Sequence, residues 1–415
     1  MSKKNSFSSI KRRDFLSGLS KTGLLMCLPL PVLAANKTKE SKGSLKGIQF
    51  LSDPYLQNST ADSVTVMWLT NNDCLSWVEV IAPDHTRKKY FSAAHGLVAA
   101  GKGLHKIKLA DLLPDTSYRY EIFSKEIEDF HPYRLVYGET ITKGPYSFKT
   151  FSTQQDEVRF VVLNDLHDHP DNITEMMAAA CKPSDYDFVV LNGDAFDWVD
   201  DEAQILRNVL VPATSVFASE KPFLMVQGNH EVRGKFAREL FNYFDYPAGD
   251  SYYAFTRGPV RFIVMDAGED KDDDHAEYGG LVSFNHYRET QALWLEKEIE
   301  NPAFKEAAFR VVLIHIPVYH SGEGHGTTHC RKLFNPLFNK GKVDLSISGH
   351  THRYGTFDAD EATHHYPIVI GGGPGTATRK GGRRTLIKVH ATKTSLDLDM
   401  LTDDGKIVGA YRLKK

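Results

Sequence analysis

Six short apolar runs follow residue 157, and five of them deliver an aspartate, asparagine or histidine at their carboxyl ends. The five are "VRFVVLND", "DFVVLNGD", "PFLMVQGNH", "FRVVLIHIP" and "VDLSISGH". The sixth, "VRFIVMDAG", ends at Asp266, to which no role falls. A run that is apolar at consecutive positions predicts a strand covered on both faces. Segments of helical pattern separate the runs: "NITEMMAAAC", "EAQILRNVLVPA", "KFARELFNYF" and "ETQALWLEKEIE". The alternation predicts an α/β domain over residues 157–415. In such folds the carboxyl ends of strands line the site. The candidates are therefore Asp165 and His167, Asp194, Asn229 and His230, His315, and His350 and His352. A lone "GNH" or "GHTH" carries little information. Five ends of ligand type in succession point to a metal centre, and 14 of the 18 histidines follow residue 160.

Residues 48–152 follow a different pattern. "DSVTVMWLT" and "SWVEVIA" alternate apolar and polar positions, and "HKIKLADL" and "YRYEIFS" continue the series. This predicts an all-β domain. The segment Leu113-Pro114-Asp115-Thr116-Ser117-Tyr118 resembles the tyrosine corner of a fibronectin type III sandwich. No catalytic constellation lies within it. The expected fold class is a two-domain chain, an N-terminal fibronectin type III-like sandwich and then an α/β domain.

Residues 1–34 resemble a twin-arginine export signal. Arg12 and Arg13 precede Phe15 and Leu16, an apolar stretch follows, and a small-residue site closes at Ala34. The apolar run is too short for a bilayer, which takes about 20 residues. Residues 35–47 read as a polar linker. The expected location is periplasmic or secreted. Net charge is −3 over 415 residues, so no strongly basic surface points to nucleic acid. Cys74, Cys181 and Cys330 are too scattered for a disulfide framework and read as small buried hydrophobes.

The ordered set Asp165-Leu166-His167, Gly193-Asp194, Gly228-Asn229-His230-Glu231, His315 and Gly349-His350-Thr351-His352 resembles the calcineurin-like metallophosphoesterase superfamily. The sandwich, with "SDPYLQNSTADSVTVMWLT", and the segment "GLVSFNHYRETQALWLEKEI" are similar to purple acid phosphatases. The resemblance implies a helix-flanked β-sandwich and two divalent ions, Zn, Mn or Fe. Asp194 would bridge them. Asp165, His167 and His352 would complete one site, and Asn229, His315 and His350 the other. The implied reaction is in-line attack of a metal-bound hydroxide on a phosphate ester. His230 would face the scissile group and protonate the leaving oxygen. Asp197 would orient His230; its alternative is a helix N-cap. His320 and His325, in "HIPVYHSGEGHGTTHC", would reach the substrate phosphate, against the alternative of a solvated loop. The acidic run "EDKDDDHAE" reads as a solvated loop, and "RKGGRR" as a solvated turn.

The resemblance implies an exported phosphoesterase with a small phosphorylated substrate and phosphomonoesters preferred. The same ligands serve a phosphodiesterase equally, so that reading stays open. A third, a non-catalytic surface module, sits poorly with a ligand set filled at all seven positions. Two departures bear on the metal. Purple acid phosphatases bind Fe(III) through a tyrosinate three residues after the bridging aspartate, where this chain has Asp197. They have glycine two residues after the first aspartate, where this chain has His167. A neutral imidazole in place of an anionic oxygen favours two divalent ions.

Overall fold

The computed structural model describes residues 47–376, 378 and 382–415. The expected export signal, and the linker apart from Gly47, lie outside them, as do Arg379 to Gly381 of "RKGGRR". The described residues belong to one compact unit.

The N-terminal region is all-β. "DSVTVMWLT" and "SWVEVIA" lie in one 18-residue strand, Val64–Ile81, instead of two. Its first half pairs with Lys102–Leu109 and its second half with Ser117–His131; the register breaks between Leu69 and Cys74. Changing partners midway lets one hydrogen-bonded sheet fold onto itself as two layers. Val64, Val66 and Trp68 from the first half share a core with Val78 and Val80 from the second. Alternate residues point inward, as the period of a strand requires. The tyrosine corner is present: the Leu113 amide donates to the Tyr118 hydroxyl at 2.9 Å.

The second region packs two six-stranded sheets face to face. The first runs Phe223–Val226, Phe188–Asn192, Glu157–Leu163, Thr385–Thr392, Ser395–Thr402, Ile407–Lys414, with the first three parallel. The second runs Tyr253–Arg257, Val260–Met265, Phe309–Ile314, Leu345–Ser348, Ile368–Ile370, Gly355–Phe357, with the middle four parallel. Alternation within each apolar run divides its residues between two cores. Phe262, Val264, Val311 and Leu313 enter the core between the sheets, where Phe262 meets Phe160 edge-on at 5.0 Å. Ile263, Met265, Val312 and Ile314 face Leu295, Phe334 and Phe338 of the covering helices. Each run is buried on both faces, which is why apolar residues dominate it; Arg261, a buried exception, is paired with Glu298.

Two helices differ from expectation. "KFARELFNYF" gives only a four-residue helix, Ala237–Leu240, and a 3₁₀ turn, Phe241–Tyr243. The segment expected to be a loop after His315 instead enters a 16-residue helix, His325–Lys340. Cys74, Cys181 and Cys330 are free thiols, the first and last buried. Arg384 of "RKGGRR" is buried and holds Asn172 Oδ1 at 2.8 Å, so it is no solvated turn residue.

The two regions are joined by buried contacts. Tyr55, Met67 and Leu69 of the sandwich belong to the large core of the second region. The Tyr120 hydroxyl donates to the Ser219 carbonyl at 2.6 Å, Tyr55 to Tyr243 at 2.8 Å, and Gln57 Nε2 to Phe223 at 2.9 Å. Deleting residues 48–150 would expose this apolar face and leave three carbonyls unpaired. The fragment starting near Glu157 is expected to aggregate on purification. A soluble fragment with full activity would show the sandwich to be dispensable.

Candidate metal centre

The five parallel strands ending at Leu163, Asn192, Val226, Ile314 and Ser348 bring their following loops together. Asp165, His167, Asp194 and His352 each offer an atom to one group within 4.8 Å, and Asp194, His315 and His350 to a second. Asp194 is common to both. Asn229 joins the second, with its Oδ1 2.9 Å from His350 Nδ1.

The chain turns sharply to achieve this. Asp165, His167, Asp194, His350 and His352 all have positive φ, between 47° and 71°. That region costs a non-glycine residue about 1–2 kcal/mol, and such outliers gather where surrounding structure holds a site in place. Close approach also dictates glycine. A Cβ on Gly193 would lie 2.4 Å from the His315 ring, and one on Gly228 2.3 Å from Asp194 Oδ1.

Imidazoles are oriented by their far nitrogens. His315 Nδ1 donates to the Asn192 carbonyl at 2.7 Å, which turns its Nε2 toward the cluster. That Nε2 is buried, lies 2.9 Å from Asp194 Oδ2, and makes no well-angled hydrogen bond. His167 Nδ1 donates to Asp197 Oδ1 at 2.9 Å. Its Nε2 comes within 2.8 Å of His352 Nε2, 3.9 Å of Asp165 Oδ1 and 3.7 Å of Asp194 Oδ2. Two nitrogens bound to one ion at about 2.0–2.1 Å lie about 3 Å apart. Lone pairs and carboxylates thus converge on common points, and carboxylate or carbonyl partners hold the rings, as around a bound metal. The donor set fits a dinuclear centre.

Electrostatics follow from the burial. Burial drives Asp165 up to about 8, with Asp194 adding to the rise. Asp194 is also buried, yet His315 beside it holds it below the usual carboxylate range. Burial pushes His350 and His352 down to about 4, leaving neutral rings suited to a metal.

Four placements differ from the sequence reading. Asp197 does not orient His230 through its carboxylate, which is taken by His167; His230 Nδ1 donates to the Asp197 main-chain carbonyl at 2.7 Å. Nor is Asp197 an N-cap, since Asp201 caps that helix by accepting from the Gln204 amide. His320 stacks on Phe357 at 3.8 Å and meets His364 Nε2 at 3.2 Å, so its partners are not the ligand cluster. His325 begins a helix and its Nε2 bonds Asn285 Oδ1 at 2.7 Å. The acidic run is only partly a solvated loop. Glu269 is buried against Arg233, and Asp273 accepts from the Phe284 and Asn285 amides at the start of helix Phe284–Glu298. Asp266 is structural, accepting from Ser251 Oγ at 2.6 Å.

Glu231 has a role that its place in the quoted motif did not reveal. Its buried carboxylate accepts from the Asp194, Ala195 and Gly228 amides at 2.7–2.9 Å. It ties the loop carrying Asp194 to the loop carrying Asn229. Glu231→Gln puts an amide NH₂ against backbone donors. Denaturant unfolding should show a loss on the order of 2–3 kcal/mol, with weaker metal retention. Unchanged stability and metal content would remove this role.

Two packed sheets thus carry, at their strand ends, a carboxylate shared between two donor clusters, an arrangement suited to a dinuclear metal centre. Residues 158–354 match the model of the calcineurin-like phosphoesterase family. Purple acid phosphatase 22 of Arabidopsis thaliana is 25% identical over 290 residues, covering 66% of this chain and 56% of that protein. Probable purple acid phosphatase 20 of the same plant is 21% identical, covering 76% and 71%. The chain spans about half the length of several curated relatives it matches. A purple acid phosphatase from yellow lupin seeds superposes with a TM-score of 0.64 at 18% identity, over 87% of this chain and 74% of that one. The structure of PhoD superposes at 0.60 and 13% identity, over 88% and 89%. These two likenesses establish the shared fold.

Proposed function

We propose that this chain is an exported phosphoesterase that hydrolyses phosphate esters, monoesters preferred, at a dinuclear metal centre. Asp165, His167 and His352 would hold one ion, Asn229, His315 and His350 the other, and Asp194 both. The observation that carries the reading is the carboxylate of Asp194, shared by two clusters of converging donors. When bound, two divalent ions supply Lewis acidity and an acidified water. This chain's residues supply the rest. Asp165 and Asp194 offset the cations' repulsion. His230, with Nδ1 fixed on the Asp197 carbonyl, presents Nε2 on the side of Asp194, 4.0 Å from its Oδ2. From there, once the ring is protonated at Nε2, it stabilises phosphoryl charge and passes that proton to the leaving oxygen; the neutral ring accepts from Arg233 Nη1 at 3.0 Å.

Residues 48–152 and 157–415 would be the two domains, and residues 1–34 the export signal. Among the described residues no helix is long and apolar enough to cross a membrane. The test is hydrolysis of p-nitrophenyl phosphate and bis-p-nitrophenyl phosphate by protein stripped with a chelator and then refilled with Zn, Mn or Fe. Metal-independent turnover, or none of either substrate, would sink the proposal. Faster turnover of the diester would replace it with a phosphodiesterase.

The metal choice has its own prediction. The two departures from purple acid phosphatases form a hydrogen-bonded pair, Asp197 on His167. Asp197 stands at the position that the tyrosinate holds in purple acid phosphatases. Pure, active protein is therefore expected to be colourless, with a neutral to alkaline optimum. A visible charge-transfer band, or an activity peak near pH 5, would refute this.

A further inference from the structure

Arg233 stands three residues beyond His230 and was no part of the motif that pointed to the site. Its guanidinium is aimed by a buried acid. Nε and Nη2 each donate to Glu269 at 2.8 Å, a two-pronged pairing that fixes the plane of the group. Nη2 also reaches Asp270 at 3.4 Å. Nη1 points the other way and donates to His230 Nε2 at 3.0 Å. This accounts for all the protein partners of the guanidinium among the described residues, and one N–H of Nη1 is left over. His230 in turn lies edge-on to His167, ring centres 4.8 Å apart, so Nη1 stands at the rim of the ligand cluster. The backbone is braced as well: the Arg233 carbonyl accepts from the Val199 amide at 2.9 Å, tying it to the loop that carries Asp194 and Asp197.

No free positive charge is left locally, since Glu277 also lies 3.2 Å from Lys271 Nζ. Arg233 and Lys271 face Glu269 and Asp270, with Lys271 Nζ 3.1 Å from Asp270. What Arg233 offers the site is therefore a directed donor more than a free positive charge. A phosphomonoester carries a terminal oxygen that two metal ions and an attacking water leave unengaged. A fixed N–H answers that oxygen. In a diester the corresponding oxygen is alkylated, is a poorer acceptor, and brings an ester arm into the space beside the guanidinium.

We propose that Arg233, aimed by Glu269, contacts the substrate's terminal phosphoryl oxygen and selects monoesters over diesters. The inference rests on the phosphoesterase reading above. The competing view is that Arg233 only neutralises buried Glu269.

The test uses full-length, metal-loaded protein with Arg233→Gln and Arg233→Lys. Both are compared with wild type on p-nitrophenyl phosphate and bis-p-nitrophenyl phosphate, and for inhibition by inorganic phosphate. For Arg233→Gln, KM for the monoester and the inhibition constant of phosphate should both rise about tenfold or more, as loss of a charge-assisted contact implies. The diester loses only the contact with His230, so its kcat/KM should fall several-fold less than that of the monoester. Arg233→Lys keeps the charge opposite Glu269 but not the two-pronged geometry, and should fall between. Metal content and Tm report on folding, and the lysine variant carries the test if the glutamine variant does not fold. Equal losses on the two substrates, or an unchanged phosphate constant, would overturn the proposal. Should wild type hydrolyse neither substrate, the phosphoesterase reading fails on its own. Calorimetric titration of inorganic phosphate into the metal-loaded variants then decides for Arg233: binding that depends on it supports the contact, and binding that does not ends it.

Discussion

Asp194→Asn is expected to lose at least one equivalent of metal and, with it, activity well beyond the roughly 10–100-fold that a ligand's indirect partners cost. The substitution is nearly isosteric, so its effect is one of charge. Asp194 Oδ1 accepts from the His230 amide at 3.0 Å, and an amide oxygen can continue to do so. Oδ2 lies 2.9 Å from His315 Nε2 and 3.7 Å from His167 Nε2, between the two donor clusters. Two cations held close together repel strongly in a buried site, and the shared anion is what offsets that. The measurement is metal content by elemental analysis beside turnover. A variant that keeps two equivalents and its activity would show that Asp194 is not the bridge.

His230→Ala should lower turnover by roughly 10²–10⁴-fold while both metals stay bound. The ring belongs to neither cluster that contains Asp194; it groups instead with His167 and Asp197. The backbone amide that donates to Asp194 survives the substitution, so the ligand keeps its partner. The loss should shrink for esters with good leaving groups, which need little protonation. A uniform loss across leaving groups would leave His230 as a stabiliser of phosphoryl charge and nothing more. Asp197→Asn tests the revised geometry. It acts on His167, a proposed ligand, so it should weaken metal retention before it alters leaving-group dependence; the reverse order would restore the carboxylate to His230.

Ligand-type residues were legible because strand ends announce themselves. A doubly buried strand is mostly apolar, so the first Asp or His after one marks where the chain emerges. Asp165, Asp194, Asn229, His315 and His350 all stand at such exits. The tyrosine corner was legible too, since a local turn closes over five residues and its partners are neighbours in the chain.

Contacts between loops were not legible. Asp197 was matched with His230 by sequence order, but the turn at Asp194, with φ of 54°, swings its carboxylate to His167 and offers His230 only a carbonyl. Glu269 opens a run of acids that reads as solvated. It is buried because Arg233, 36 residues earlier, meets it from another loop. Glu231 lay inside the motif, but its three amide partners come from two loops that only the sheet brings together. Helix His325–Lys340 was hidden by a glycine- and histidine-rich start and by Pro336, and tertiary packing of Cys330, Phe334 and Phe338 overrides that weak propensity. By itself the sequence determined which residue types emerge at which strand ends, because the burial period of a strand is local. Which of those side chains face one another was decided only by the tertiary structure, because loop-to-loop pairing depends on sheet order and on backbone turns that no local pattern encodes.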